Sequence, residues 1–336
     1  MAKTYDVYGV GHALVDQQYR VTVDFLNNWK IGKGVMTLVD ENRQKELQSA
    51  LSCQPENSAS GGSAANTMIT VSRFGGRANY AFQVGNDKWG DFYRRDLDDA
   101  GVQSTSSSQR TGSTGQCMVF ITPDADRTMN SFLGTSANMS PNQIERCLIR
   151  KSQYLYLEGY LLTSDAGMET CQLAQKWAIE DGVKVSATLS DPVIVETFRD
   201  RFQTLINVGV DLLFCNEEEA LSMTHCKNLN KAIEILEQQV RTSIVTRGPD
   251  GAIISHEGSR VEINAVPVSA VDTTGAGDTL AGGVLFGITN GYSLVDSVRL
   301  GNFAAAEVVG KLGPRLDREL GREIEVILRD TTELDI

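Results

Sequence analysis

Short apolar, β-branched runs recur along the chain with amphipathic stretches between them. Thr4–Val10, Ala78–Val84, Tyr154–Leu162, Lys184–Leu189, Val210–Cys215 and Thr242–Thr246 read as strands, several of them apolar on successive residues, as strands covered on both faces should be. Helical periodicity between these runs predicts helices at Ala65–Phe74, Trp89–Ala100, Pro141–Arg150, Asp165–Asp181, Asn230–Val240, Asp278–Asn290 and Leu294–Lys311. Within 230–240, Ala232, Ile233, Leu236 and Val240 share one face with Glu and Gln opposite, which describes a surface helix docked on a core. Strands alternating with helices imply a mostly parallel sheet.

Two regions break this rhythm. Tyr19–Leu38 alternates raggedly around Gly32 and Gly34, while Gly115–Ile121, the turn Thr122–Asp126 and Arg127–Leu133 read as a hairpin with a five-residue loop. A small β flap beside the main sheet accounts for both. The Ser- and Gly-rich stretches Ser52–Ser63 and Ser104–Gly115 read as loops or hinges. No fixed-period repeat occurs, so the expectation is one α/β domain over 1–336 with a lid formed by about 17–40 and 103–133.

Composition narrows the function classes. The 336 residues carry a formal charge of −12 with no Lys/Arg cluster, so a nucleic-acid partner would face a repulsive field. Six cysteines fall without C-x-x-C spacing, which signals neither a zinc ribbon nor a redox dithiol. The three histidines, His12, His225 and His256, lie far apart, so a His-ligated catalytic metal is not expected. The opening MAKTYDVYGVG has no basic leader before a long apolar run, and no stretch of about 18 apolar residues occurs. A soluble, cytoplasmic protein without membrane contact is the expectation.

The sharpest local signal is Ala270–Gly283, AVDTTGAGDTLAGG, between a probable strand Val261–Val268 and a helix. Gly275 and Gly277 permit a tight turn and leave bare N–H groups around Ala276 at a helix N-terminus, where an anion is favoured. Asp278 points to the same place. A carboxylate beside an anion nest is reconciled if the nest holds a transferring phosphoryl group while Asp278 accepts a proton from the attacking hydroxyl. The bland alternative is a Gly-rich turn capped by Asp. The chain has no G-x-x-x-x-G-K-[ST], and both of its G-x-G starts lack the third glycine, which disfavours a Walker-type ATPase and a Rossmann dehydrogenase.

The D-T-T-G-A-G-D string resembles the signature of the ribokinase-like, or PfkB-type, carbohydrate kinase family. Further matches follow in order: Gly11–Asp16, Gly61–Asn66, Val84–Gly90, Asn216–Glu219 and Thr246–Gly251. The resemblance implies a three-layer αβα sandwich with a central, mostly parallel sheet and a small β lid. It also implies ATP and Mg²⁺ as cofactors, with Asp278 as base and Gly275, Ala276 and Gly277 as the anion hole. Asp16, Asn66 and the backbone of Gly61 and Gly62 would grip substrate hydroxyls. Asn216 and Glu219 would serve Mg²⁺, Glu219 through water, while Thr246, Gly248, Gly251 and, on the adenine-side helix, Asn302 would serve the nucleotide. Asp272 and the loop near Gly313 occupy positions that resemble a K⁺ site.

The hairpin and Thr188–Pro192 look like the adenosine-kinase branch, and an apolar lid bearing Phe, Met and Leu suits a purine. The implied reaction is phosphorylation of the 5′-hydroxyl of adenosine or a related nucleoside; a sugar kinase and a non-catalytic nucleotide or sugar sensor are the alternatives. His12 stands where that branch carries Asn. Arg127 is a candidate lid cation for the γ-phosphate, against pairing with Asp124 or Asp126. Monomer and homodimer, the latter through the flap, both remain open.

Overall fold

The strand Tyr5–Val10 is buried from Asp6 to Val10, as a strand with neighbours on both edges and helices on both faces must be. It lies within a nine-stranded sheet. The computed structural model describes residues 3–51, 53–104, 112–124, 127–332 and 334. In chain order the strands are β1 (Tyr5–Val10), β2 (Leu14–Arg20), β3 (Met36–Leu38), β4 (Asn57–Gly61), β5 (Ala78–Ala81), β6 (Gln103–Ser104), β7 (Gly115–Ile121), β8 (Arg127–Phe132), β9 (Ser152–Leu157), β10 (Lys184–Thr188), β11 (Leu212–Asn216), β12 (Thr242–Thr246), β13 (Ala252–His256) and β14 (Ser259–Ile263). The large sheet runs β14-β13-β12-β11-β10-β9-β1-β5-β6, parallel except where β13 turns back between β12 and β14. Helices cover both faces, giving the expected three layers. One core joins Leu155, Leu157 and Val185 to the helices around Ala174, Phe202 and Ile233. The other joins Val7, Tyr80 and Tyr156 to those around Met68, Leu97 and Val284.

The small sheet has the order β3-β8-β7-β2-β4. Its β4 corrects the sequence reading, because Asn57–Gly61 lies in the stretch taken as loop and pairs antiparallel with β2. The ragged Tyr19–Leu38 region resolves into the end of β2, a helix Val23–Asn28 capped by Thr22, and β3. That helix and Glu41–Ala50 carry Leu26 and Leu47 onto Tyr19, Met118 and Phe120 on the outer face of the sheet. The hairpin forms as expected, β7 antiparallel to β8, with residues 125 and 126 of its turn and 105–111 of the second Ser/Gly stretch outside the described residues.

Other boundaries shift for local reasons. Pro141–Arg150 is not one helix: Ser140 and Gln143 close a capping box around a short 3-10 turn, Ile144 is extended, and a helix restarts at Arg146. Val261–Val268 is strand only to Ile263, after which the chain leaves the sheet and Val268 is exposed. The helices Glu41–Ala50, Pro192–Gly209, Glu217–Thr224 and Ile324–Thr332 escape the periodicity reading. Pro192–Gly209 is kinked at Phe198, which breaks its repeat, although Asp191 caps it and Pro192 sits in its first turn.

The helix Ala276–Thr289 sets the site. It crosses Ser63–Arg73 on one side and Leu294–Val309 on the other, and glycines stand at both crossings. A Cβ on Gly282 would lie 2.6 Å from the Thr67 carbonyl oxygen, and one on Gly283 would lie 2.7 Å from the Cα of Gly301. Backbone cannot move aside as a flexible side chain can. Gly282→Val is therefore expected to destabilise the fold by about 1–3 kcal/mol, read as a lower denaturation midpoint; an unchanged midpoint would refute this packing.

Candidate active site

The parallel strands end on one edge of the sheet, where such folds bind ligands. The helix Ala276–Thr289 begins there with Gly275 in the left-handed region at φ 78°. The Gly275 Cα lies against the backbone of Pro314 so closely that a Cβ would fall on its carbonyl, whereas the space around Gly277 is open. The open space leaves the Gly277 amide accessible to an anion, whereas Ala276 N, expected in the same anion hole, donates to the Thr273 carbonyl at 3.3 Å. Asp278 in this turn accepts a 2.6 Å bond from Ser63 Oγ on Oδ1 and a 2.9 Å bond from Asn66 Nδ2 on Oδ2. Burial raises its pKa to about 6, opposed by those two bonds and reinforced by Glu158.

Asp16 faces the same space from β2, on which Val15, Gln17 and Tyr19 are buried. Its pKa rises to about 7, first through burial; Arg127 and Arg315 oppose the rise, and Asp278 adds to it. A Cβ at Gly61 would collide with the Asp16 carboxylate, and one at Gly62, where φ is 109°, with the His12 carbonyl. Asn66 keeps Oδ1 buried and without a partner, an acceptor awaiting a donor.

On the other side Asn216 and Glu219 form a capping box. Glu219 N donates to Asn216 Oδ1 at 2.8 Å, while Asn216 N and Nδ2 donate to the Glu219 carboxylate at 3.0 and 2.9 Å. Burial lifts Glu219 to about 7, with Asp191 and Asp278 adding to the rise. Both Glu219 oxygens are engaged, so this donor set fits a hydrated Mg²⁺ reached through water better than a direct ligand. Among the described residues no three His, Cys, Asp or Glu side chains gather as a metal cluster.

A cavity of about 650 Å³ joins these groups. It brings together His12, Asp16, Gly62, Asn66, Asn216, Glu219, Thr246, Gly248 and the Gly275–Asp278 turn. Gly61, Gly251, Asn302, Asp272 and Arg127 lie outside its wall. Asn302 Nδ2 donates to the Asn264 carbonyl at 2.9 Å, a bond that ties the segment after β14 to its helix. Asp272 is spent internally, accepting from Gly313 N at 2.9 Å and Thr274 N at 3.1 Å and pairing with Arg127. The partner of Arg127 is thus Asp272 rather than Asp124, which takes Lys33 and Thr122 instead; Asp126 lies outside the described residues.

The lid contributes alternate residues of its inner face: Leu14, Met36, Leu38, Cys117, Met129, Ser131 and Leu133. The expected Phe is not among them, because Phe120 points to the outer face and packs edge-on against Phe25. Aromatic rings reach the cavity from the main body instead, in Tyr160 and Phe214. Sequence reasoning also missed Ser63, Glu158 and Asp191. Asp191 alone had a local signal, an Asp before Pro at a helix start.

Residues 27–319 match the pfkB family carbohydrate kinase domain, and the chain belongs to that family, with the ribokinase-like α/β fold. Members of the family are phosphotransferases. A probable sugar kinase from Rhizobium etli is 34% identical, with a TM-score of 0.89 over 97% of this chain and 99% of that one. The adenosine kinase from Sinorhizobium meliloti is 35% identical, with a TM-score of 0.88 over 96% and 99%. An Escherichia coli protein assigned as a ribokinase II, solved in complex with ATP and Mg²⁺, is 22% identical with a TM-score of 0.79 over 98% and 100% and so shares the fold.

Burying Asp16 has a cost that pH reveals. Its native pKa of about 7 lies above the unfolded value of about 3.9. The native state therefore loses stability relative to the unfolded chain as pH rises between those values. Unliganded Asp16→Asn is expected to melt several degrees above wild type at pH 8 and to lose that advantage at pH 4. Equal melting temperatures at pH 8 would contradict the burial argument.

Proposed function

We propose that the protein is an ATP-dependent kinase phosphorylating a primary hydroxyl, the 5′-hydroxyl of adenosine or a related purine nucleoside. The observation carrying this reading is the convergence of Asp278 with the Gly275–Gly277 turn, open at Gly277, on a cavity shared with Asp16 and Asn66. In the reaction an Asp278 oxygen takes the proton of the substrate hydroxyl as its oxygen bonds to the γ-phosphorus. The bond from that phosphorus to the β–γ bridging oxygen breaks, and ADP leaves. The first-turn amides stabilise charge on the transferring group. Mg²⁺ supplies charge neutralisation on the ATP phosphates when bound, with Glu219 and Asn216 orienting its waters. Most of the acceleration comes from positioning, and a lid closed over both ligands excludes water.

A nucleoside is supported by the apolar lid face, by Tyr160 and Phe214, and by likeness to an adenosine kinase at 35% identity. A second reading, a sugar kinase, is favoured by the equally similar Rhizobium etli protein and by the lack of a lid Phe toward the cavity. The outer lid face is covered by the chain's own helices, which supports a monomer; light scattering should return one chain's mass, and a dimer mass would refute this.

Asp278→Asn keeps the side chain's shape and removes the base, so kcat should fall on the order of 10²–10⁴-fold with little change in KM. Because the base must be ionised, kcat/KM of the wild type should drop below about pH 6. Turnover on adenosine, inosine, ribose and fructose tests the substrate: purine nucleosides are expected to lead, and a sugar hundreds of times better would establish the second reading.

A further inference from the structure

Ser60 precedes Gly61 on β4, and Gly61 is the residue packed against the Asp16 carboxylate. Arg315 follows Pro314, whose carbonyl is packed against Gly275. The substrate-side carboxylate and the phosphoryl-side turn are therefore each backed by a residue whose chain neighbour belongs to one polar node.

In that node the Arg315 guanidinium bonds through both of its terminal nitrogens. Its Nη1 donates to Asp96 Oδ2 at 2.6 Å, to Ser60 Oγ at 2.8 Å and to the Ser60 carbonyl at 3.1 Å, while Nη2 donates to Asp96 Oδ1 at 3.2 Å. Asp96 Oδ2 also accepts from Ser60 N at 2.7 Å and Ser60 Oγ at 2.6 Å. The Arg315 and Asp96 side chains are 18% and 21% exposed, so the pair is largely withdrawn from water. Against the rise that burial imposes, Arg315 and Ser60 hold the Asp96 carboxylate below its usual range. A forked, two-bond pair of this kind fixes geometry where an exposed single contact does not.

Each end of the node is anchored separately. The helix Lys88–Asp99, which carries Asp96, also holds the next peptide of β4, because buried Tyr93 donates its Oη to the Gly61 carbonyl at 2.9 Å. Beyond Pro314 the loop is fastened to the body by Gly313 N on Asp272 at 2.9 Å and by buried Leu316 in the core around Leu300 and Ala304. Arg315 joins these two anchored segments. Ser60, Asp96 and Arg315 stand outside the cavity wall, so the node can act on the reaction only through the groups it holds.

We propose that Arg315 is a positioning residue that, with Asp96 and Ser60, fixes the separation of Gly61 from Pro314 and so aligns the acceptor hydroxyl on the transferring phosphoryl group. The proposal rests on the kinase reading. Neither ligand touches the node, so its loss costs alignment rather than affinity.

Arg315→Lys keeps the charge, and with it the field at Asp16, but not the fork. Its kcat on the best substrate among adenosine, inosine, ribose and fructose is expected to fall about tenfold or more. Kd for that substrate and for Mg²⁺–adenylyl imidodiphosphate, each measured alone by calorimetry, is expected to stay within about threefold of wild type. Asp96→Asn is expected to do the same, and the double variant to turn over like the slower single one, since both changes break one link. A purely structural ion pair would lower the melting temperature of Arg315→Lys and leave kcat per folded molecule unchanged. That result overturns the proposal, as do multiplicative losses in the double variant or a rise in either Kd that accounts for the lost kcat/KM. If the wild type phosphorylates none of the four compounds, the kinase reading fails. Hydrogen exchange in ligand-free protein still decides whether Arg315 joins the two segments: amides of 57–62 and of 311–316 are both expected to exchange faster in Arg315→Lys, and unchanged exchange in either segment overturns the link.

Discussion

The site depends on how closely three helices approach one another. Asp278 can meet Ser63 and Asn66 within 2.6–2.9 Å only because Ala276–Thr289 lies almost backbone to backbone against Ser63–Arg73 at Gly282 and against Leu294–Val309 at Gly283 and Gly301. Side chains at these crossings would force the helices apart. The carboxylate and the amide turn would then separate from the groups that face them, and an error of about 1 Å at a reacting centre is costly. Specificity of packing, rather than the amount of apolar surface buried, sets the chemistry here.

The second constraint is electrostatic. Asp16, Glu219 and Asp278 face one cavity, and burial pushes each above its ordinary range, to about 7, 7 and 6. An apo site with this much buried negative charge is held together by internal donors: Ser63 and Asn66 for Asp278, Asn216 for Glu219, and backbone amides for Glu158. The cations nearest Asp16 are occupied elsewhere, Arg127 with Asp272 and Arg315 with Asp96. Arg315 also reaches Ser60 on β4, and both arginines thereby tie the lid sheet to the loop beneath Gly275.

Much of this was legible in the sequence because a few residues are forced by backbone geometry. Gly275 must be glycine, since it is left-handed and pressed against Pro314, so the D-T-T-G-A-G-D string announces itself. Strands buried on both faces also announce themselves, and β12 falls on the residues expected. The lid did not, because β7 is buried on every residue; alternation could not tell Phe120, on the outer face, from Cys117 and Val119 on the inner one. Glu158 and Ser63 gave no local signal, since a lone Glu after a strand or a Ser at a helix start means nothing until tertiary contacts assemble. Asn302 was placed by resemblance, and the structure shows it bonded to backbone.

The central claim is a spatial one, that the Asp278 carboxylate and the first-turn amides flank the point of phosphoryl transfer. It is tested most directly by a crystal structure with adenosine, ADP, Mg²⁺ and aluminium fluoride as a mimic of the transferring group. The account predicts the fluoride over the Gly275–Gly277 amides, with the nucleoside's 5′-oxygen about 2.6–3.2 Å from an Asp278 oxygen. Fluoride bound away from that turn, or a hydroxyl that faces another group, would contradict it.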